Sequence, residues 1–88
     1  MVWAIRLSKA AEKQLARFPR HDVERIASGI DEMVADPFAG DARSLKGRRW
    51  AGRFRKRVGD YRIIFNLLVE QKVIEISQIL RRSEQTYK

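Results

Sequence analysis

The first half of the chain alternates apolar and polar positions with the periods of one short strand and two helices. Residues 2–7 alternate small or apolar residues with larger ones, which predicts a strand. Residues 9–18 and 20–35 each carry an apolar stripe at helical spacing, and a proline follows closely after each of them. The pattern therefore predicts two consecutive helices that pack as an antiparallel hairpin.

The second half predicts three strands. Residues 38–47 form the predicted loop, and the strands follow at residues 50–58, 61–68 and 73–80. The middle strand has a nearly unbroken apolar run, which is typical of a central strand buried on both faces. The expected fold is α+β in the order β-α-α-β-β-β, a curved antiparallel sheet with the helical hairpin on one face. The 88 residues form a single domain, residues 1–88, because a chain of this length holds one core.

Composition indicates the cellular environment of the protein. There is no cysteine, which excludes disulfides and thiolate metal sites and fits a reducing, cytoplasmic environment. No apolar run approaches the ~18 residues of a membrane span, and no signal peptide is evident. We therefore expect a soluble cytoplasmic protein with no membrane partner.

Charge is distributed unevenly along the chain. Lysine and arginine total 19 against 11 acidic residues, which gives a net charge of +8. Residues 1–42 carry six basic and seven acidic side chains, whereas residues 43–88 carry thirteen basic and four acidic ones. Residues 43–57 alone hold eight basic residues and no acidic one. Because most of the excess is arginine, whose planar guanidinium binds phosphate oxygens in pairs, the pattern favours a polyanion partner, above all RNA.

Several kinds of chemistry lack the residues that they need. His21 is the single histidine, and its place near the start of the second predicted helix is typical of a surface or capping residue. No residues have metal-ligand spacing, no glycine-rich loop could cradle a phosphate, and no serine lies beside a base. We expect no metal and no cofactor.

The arginines of the last three predicted strands are the candidate site. Arg55 and Arg57 are two residues apart on one strand and so project from the same face. If the strands are neighbours, Arg62 on the next strand and Arg81 at the end of the last one converge with them into a cationic pocket. Such a pocket suits an RNA phosphate and the extra charge of a pentacoordinate phosphorane. Tyr87 is expected to stack on a base, to lend its hydroxyl group, or to anchor the tail.

In these stretches the chain resembles the RelE/ParE superfamily of bacterial type II toxins. The resemblance is carried by residues 45–47, residues 54–65, the Arg81-Arg82 pair and Tyr87, and its most specific piece is the Val-Gly-Asp-Tyr-Arg sequence of residues 58–62. It extends over essentially the whole chain and implies a RelE-like microbial RNase fold. For the RelE branch it implies a metal-free endoribonuclease that cuts mRNA in the ribosomal A site.

The same resemblance implies roles for individual residues. Five of them take the places of the family's catalytic residues: Arg55, Arg57, Arg62, Arg81 and Tyr87. The implied reaction is attack of the RNA 2′-hydroxyl on the adjacent phosphorus, which leaves a 2′,3′-cyclic phosphate. Further basic residues are expected to bind RNA phosphates: Lys46, Arg48, Arg49, Arg53 and Arg82.

Two departures from the family pattern bear on the mechanism. Arginine stands at paired positions where some relatives have lysine, and because it stays protonated at neutral pH it is a poor general base. Tyr87, Lys56 and a ribosomal group remain alternatives for the base, although Lys56 shares its strand face with apolar residues. Leu80 stands where many relatives have a histidine.

The resemblance also implies partners and an alternative function. The expected partners are the ribosome, mRNA and a small acidic antitoxin that covers the basic surface, with operator DNA reached only through the antitoxin's DNA-binding N-terminus. ParE-type members instead inhibit DNA gyrase by protein binding. The ribonuclease is favoured because the arginine–tyrosine set is present. A basic RNA-binding module without catalysis is a third alternative.

Overall fold

The computed structural model describes residues 2–81, which form a five-stranded sheet with two helices on one face. A short 3-10 helix, Arg48–Trp50, lies between the second and third strands. The helices and strands in chain order are β1 (Ala4–Leu7), α1 (Lys9–Arg17), α2 (Arg20–Ala35), β2 (Asp41–Ser44), β3 (Phe54–Val58), β4 (Tyr61–Leu68) and β5 (Val73–Arg81).

The sheet confirms the predicted α+β class and adds one detail to it. The strand order is β1-β5-β4-β3-β2, and neighbouring strands are antiparallel except for β1 and β5. The sheet is therefore mixed, whereas the sequence predicted an antiparallel one. The chain between β1 and β5, which contains the helical hairpin and strands β2 to β4, is the long connection that lets β1 lie parallel to β5.

Strand β2 corrects the prediction of an uninterrupted loop over residues 38–47. Asp41–Ser44 pairs with β3 as an edge strand, in a register that aligns Asp41 with Arg57. Its four residues contain one apolar side chain and show no apolar alternation, so backbone pairing rather than burial places them in the sheet. Strand β3 also starts later than predicted, at Phe54, because the chain first turns through the 3-10 helix.

The helices begin and end where local chemistry requires. Ser8 caps α1, since its hydroxyl accepts a hydrogen bond from the Ala11 N–H at 3.0 Å. The same hydroxyl donates to the Ser77 carbonyl at 2.7 Å and so ties the start of α1 to β5. Phe18 was predicted inside the helix but is its extended C-cap, because Pro19 follows it.

The core lies between the helices and the inner face of the sheet, which is the face turned toward them. Ile26 and Met33 of α2 are fully buried against inner-face residues of β4 and β5. Phe65 of β4 stacks on Phe54 of β3 at 5.5 Å between ring centroids. Ile64, on the opposite side of β4, is also fully buried, which confirms that this strand is central and covered on both faces.

Lys56 is a charged residue inside this core. Its side chain is 2 % exposed, and its ammonium donates to Glu32 Oε1 at 2.7 Å and to the Ala39 carbonyl at 2.9 Å. Gly29 permits the close approach of α2 to this strand, since a Cβ there would lie 2.7 Å from the Val58 side chain. Lys56 thus joins β3 to the second half of α2 and to the loop that follows it.

Removing either partner of the Lys56–Glu32 pair is expected to lower stability, but by different amounts. Glu32→Ala leaves a buried ammonium with one carbonyl partner, and we expect it to lower the free energy of unfolding by about 1–3 kcal/mol. Lys56→Met removes the buried charge and leaves a glutamate whose side chain is already 60 % exposed, so the loss is expected to be smaller. Urea denaturation measures both.

The exposed Glu24 of the same helix provides the matched control. Its ion pair with Arg20 joins two largely exposed side chains, so Glu24→Ala is expected to change stability by less than about 0.5 kcal/mol. A larger loss for Lys56→Met than for Glu32→Ala would contradict the expected asymmetry.

Candidate functional site: an arginine block on the outer face

The outer face of the sheet, turned away from the helices, carries a compact group of arginines. Arg57 of β3 lies directly opposite Arg62 of β4, and Arg43 of β2 lies directly opposite Arg55 of β3. Directly paired residues of antiparallel strands have Cβ atoms about 4.5–5.5 Å apart. We call these four residues the arginine block. The predicted convergence of Arg55, Arg57 and Arg62 is confirmed.

One carboxylate lies within the block. Asp41 Oδ1 is 3.3 Å from Arg55 Nη1, and Asp41 Oδ2 is 3.8 Å from Arg57 Nε. Asp41 thus contacts two of the four arginines, both on β3. Arginines concentrated on one face in this way make it positively charged, which suits an anionic ligand.

Two buried apolar residues lie beneath the arginines. Ile64 pairs with Arg55 and is fully buried, and Leu80 pairs with Arg62 and is 3 % exposed. Both project to the outer face, apart from the main core. The arginines of the block therefore neighbour buried apolar side chains, and attraction for an anion is stronger beside such a surface than in open water.

Arg81 does not join the block, so the predicted convergence was wrong for this residue. Alternation along β5 places Leu80 on the outer face and Arg81 on the inner one, opposite Tyr61. The Arg81 guanidinium carbon lies 6.0 Å from the centroid of the Tyr61 ring. The last strand therefore contributes an apolar residue to the outer face where a fourth converging arginine was expected.

Tyr61 is the centre of a polar cluster that the sequence did not reveal. Its hydroxyl donates to Asp22 Oδ2 at 2.7 Å, and His21 Nε2 lies 3.1 Å from Asp22 Oδ1. Burial, followed by the hydrogen bond to Asp22, raises the pKa of the Tyr61 hydroxyl. Tyr61 and Asp22 are 39 positions apart, so no local motif could have paired them.

The remaining predicted site residues are scattered. Lys56 faces the core, on the opposite side of the sheet from the block, and its ammonium is held by Glu32. Lys46, Arg48 and Arg49 are exposed in the loop between β2 and β3, and Arg53 is half-buried there. Tyr87 and Arg82 lie outside the described residues. Within residues 2–81 no three histidine or acidic side chains could hold a metal ion together.

The family follows from the sequence as a whole. Residues 5–86 match the family described as the ParE toxin of the type II toxin–antitoxin system parDE. The chain belongs to this family, within the RelE/ParE superfamily. It is a toxin of a type II toxin–antitoxin system. No curated protein matches the chain in sequence.

Solved structures of RelE- and ParE-type toxins share the fold. An archaeal RelE–RelB complex from Pyrococcus horikoshii OT3 contains a chain with 27% identity and a TM-score of 0.79, with 96% of this toxin and 99% of that chain covered. The toxin–antitoxin complex RelBE2 from Mycobacterium tuberculosis contains a chain with 20% identity and a TM-score of 0.83. The match covers 93% of this toxin and 100% of that chain. The YoeB/ParE toxin from Agrobacterium tumefaciens gives 21% identity and a TM-score of 0.76. The match covers 89% of this toxin and 96% of that chain.

None of the helices in the described part of the toxin is long and apolar enough to cross a membrane. Several of the similar structures are complexes with RelB-type antitoxins. An antitoxin is accordingly the partner that the comparisons support for this toxin.

The Tyr61 hydroxyl predicts how stability responds to alkaline pH. Because its pKa is raised in the folded toxin, the neutral form stabilises the fold, and this contribution is complete below pH ~10 and lost as pH rises through the folded pKa. We expect Tyr61→Phe to be less stable at neutral pH and to lose less on going to high pH. Thermal melting of both proteins across the alkaline range measures this, and parallel pH profiles would contradict it.

Proposed function

We propose that this toxin is a metal-independent endoribonuclease that cleaves mRNA on the ribosome and so inhibits translation. The observation that carries the proposal is the arginine block, with Arg57 directly opposite Arg62 above a buried apolar surface. Like charges so close together repel, and a bound phosphate removes that repulsion. Ribosome-bound mRNA supplies such phosphates.

The proposed reaction is an attack within the RNA itself. The 2′-hydroxyl loses its proton and bonds to the adjacent phosphorus, the bond from phosphorus to the 5′-oxygen breaks, and that oxygen leaves with a proton. The products are a 2′,3′-cyclic phosphate and a 5′-hydroxyl. Arg57 and Arg62 stabilise the extra negative charge of the phosphorane, and Arg55 orients the phosphate.

The general base lies outside the arginine block. Arginine stays protonated at neutral pH, and Lys56 is engaged by Glu32 on the other face of the sheet. Tyr87 and a ribosomal group are the alternatives. Arg81 and Arg82 belong to the proposed catalytic and RNA-binding sets through the family resemblance, and the inner-face position of Arg81 makes Arg57 and Arg62 the first residues to test.

The proposed partners follow from charge. The loop residues Lys46, Arg48, Arg49 and Arg53 are assigned to RNA phosphates. A small acidic antitoxin competes with RNA for the same surface and links the toxin to operator DNA, all within the cytoplasm.

Inhibition of DNA gyrase by protein binding is the second candidate. Two observations favour it: the family matched by residues 5–86 is that of ParE toxins, and Arg81 lies away from the arginine block. In this case the basic surface would bind an acidic region of gyrase without any chemistry.

Removal of a single arginine tests the ribonuclease. Arg57→Ala and Arg62→Ala are each expected to lower the rate of mRNA cleavage by about 10²–10³, as for loss of one oxyanion-hole donor, with much less effect on ribosome affinity. Primer extension on translated mRNA measures cleavage, and cosedimentation measures binding. Arg20→Ala is the control because this side chain is 94 % exposed and lies on α2, away from the outer face. Wild-type cleavage by Arg57→Ala and Arg62→Ala would refute the proposed site.

Two assays of the wild-type toxin distinguish the ribonuclease from the gyrase inhibitor. We expect it to cleave translated mRNA and to leave decatenation by purified gyrase unaffected. Ribosome affinity should also fall steeply with salt, because each neutralised phosphate releases counterions. If the toxin inhibits gyrase and does not cleave mRNA, the ribonuclease proposal is wrong and inhibition of gyrase takes its place.

A further inference from the structure

Strand β2 has a place in the sheet that core packing does not explain. Three of its four residues, Asp41–Ser44, are exposed, and the strand forms the edge of the sheet beside β3. Its register nevertheless places Asp41 directly opposite Arg57. An edge strand that buries so little is better explained by the side chains that it presents to the neighbouring strand.

The Asp41 carboxylate bridges two arginines of the block. Its Oδ1 accepts a hydrogen bond from Arg55 Nη1 at 3.3 Å, and its Oδ2 lies 3.8 Å from Arg57 Nε. The Asp41 backbone carbonyl accepts a further hydrogen bond from Arg55 Nη1 at 3.4 Å. Two guanidinium groups that repel each other are thereby held side by side by one negative charge.

The backbone before Asp41 is anchored from the other face of the sheet. The buried Lys56 ammonium, which the proposed chemistry does not use, donates to the Ala39 carbonyl at 2.9 Å. Gly40 has a φ of 74°, which favours glycine, and a Cβ there would lie 3.2 Å from Lys56 Nζ. The fold therefore fixes the chain that carries the Asp41 carboxylate.

A carboxylate beside a phosphate site has two opposing effects. Its negative charge repels the phosphate and so lowers the affinity for RNA. Arginine side chains are long and flexible, however, and ordering them when a ligand binds costs conformational entropy. A carboxylate that orders them beforehand removes this cost from the step in which charge develops on the phosphorane.

We propose that Asp41 is a positioning residue of the arginine block, which holds the guanidinium groups of Arg55 and Arg57 in the arrangement that the transition state needs. This inference rests on the proposed ribonuclease function and assigns a role to a residue outside the proposed catalytic set. It requires that Asp41 raises the rate of cleavage although it lowers the affinity for RNA.

Asp41→Asn separates these two effects, because it removes the charge and keeps the size of the side chain. We expect it to bind RNA about two- to fivefold more tightly, since one repulsive charge is lost. A 2′-O-methyl RNA oligomer, which lacks the attacking hydroxyl, measures this affinity. Cleavage of translated mRNA under single-turnover conditions with saturating toxin is expected to be about tenfold slower or more.

Two further variants provide the controls. Asp41→Glu keeps the charge, so it is expected to retain the wild-type affinity and to recover most of the cleavage rate. Glu75→Gln changes the net charge by the same amount, but Glu75 pairs with Arg6 at the opposite edge of the sheet, so rate and affinity should stay within about twofold of wild type. Melting temperatures should change by less than about 5 °C, because such exposed ion pairs contribute little to stability.

NMR tests the tether without any chemistry. The Nε–H groups of Arg55 and Arg57 are expected to be ordered in the wild-type toxin and mobile in Asp41→Asn, as measured by ¹⁵N relaxation. Equal order in both proteins would overturn the inference. Tighter RNA binding by Asp41→Asn with an unchanged cleavage rate would also overturn it, because Asp41 would then act only as a repelling charge.

The results also separate this inference from the proposed function. If Asp41→Asn cleaves translated mRNA at the wild-type rate, the positioning role is disproved and the ribonuclease remains. If the wild-type toxin leaves mRNA intact, the ribonuclease is disproved. In that case, loss of arginine order together with tighter RNA binding in Asp41→Asn would still support Asp41 as the residue that orders the anion site.

Discussion

The register between β3 and β4 determines both the core and the functional surface of this toxin. Side chains alternate strictly between the two faces of a sheet, so the alignment of Arg57 with Arg62 also fixes Phe54 against Phe65 on the helix side. A shift of one residue would place arginines under the helices and phenylalanines in water. The apolar residues that stabilise the fold therefore hold the arginine block in place.

The basic side chains on the two faces of strand β3 are neutralised to different extents. On the inner face Lys56 is almost fully buried, and its ammonium is neutralised by Glu32 and a backbone carbonyl. On the outer face Arg55 and Arg57 both contact the carboxylate of Asp41. The first arrangement is complete without a ligand. The second leaves positive charge at the surface, where an anionic ligand would neutralise it.

The sequence predicted what depends on local periodicity. The helical hairpin, the central strand β4 and the shared face of Arg55 and Arg57 all follow from spacing along the chain. Strand β2 was not predicted because its place in the sheet depends on backbone pairing with β3 and not on a local apolar pattern. The position of Arg81 differs from the prediction because side chains alternate along β5, which places Leu80 on the outer face and Arg81 on the inner one. The contact between Tyr61 and Asp22 required the tertiary fold.

The parallel pairing of β1 with β5 has a consequence for the order of folding. Ala4 pairs with Val73, so the first strand to be synthesised cannot join the sheet until the last one has been made. Such a contact closes nearly the whole chain into one loop, and topologies with distant pairings form slowly. The nascent chain therefore cannot complete its sheet before β5 has been synthesised. A competent toxin molecule therefore appears only after β5 has been made, and an antitoxin already present in the cell can meet it at that moment.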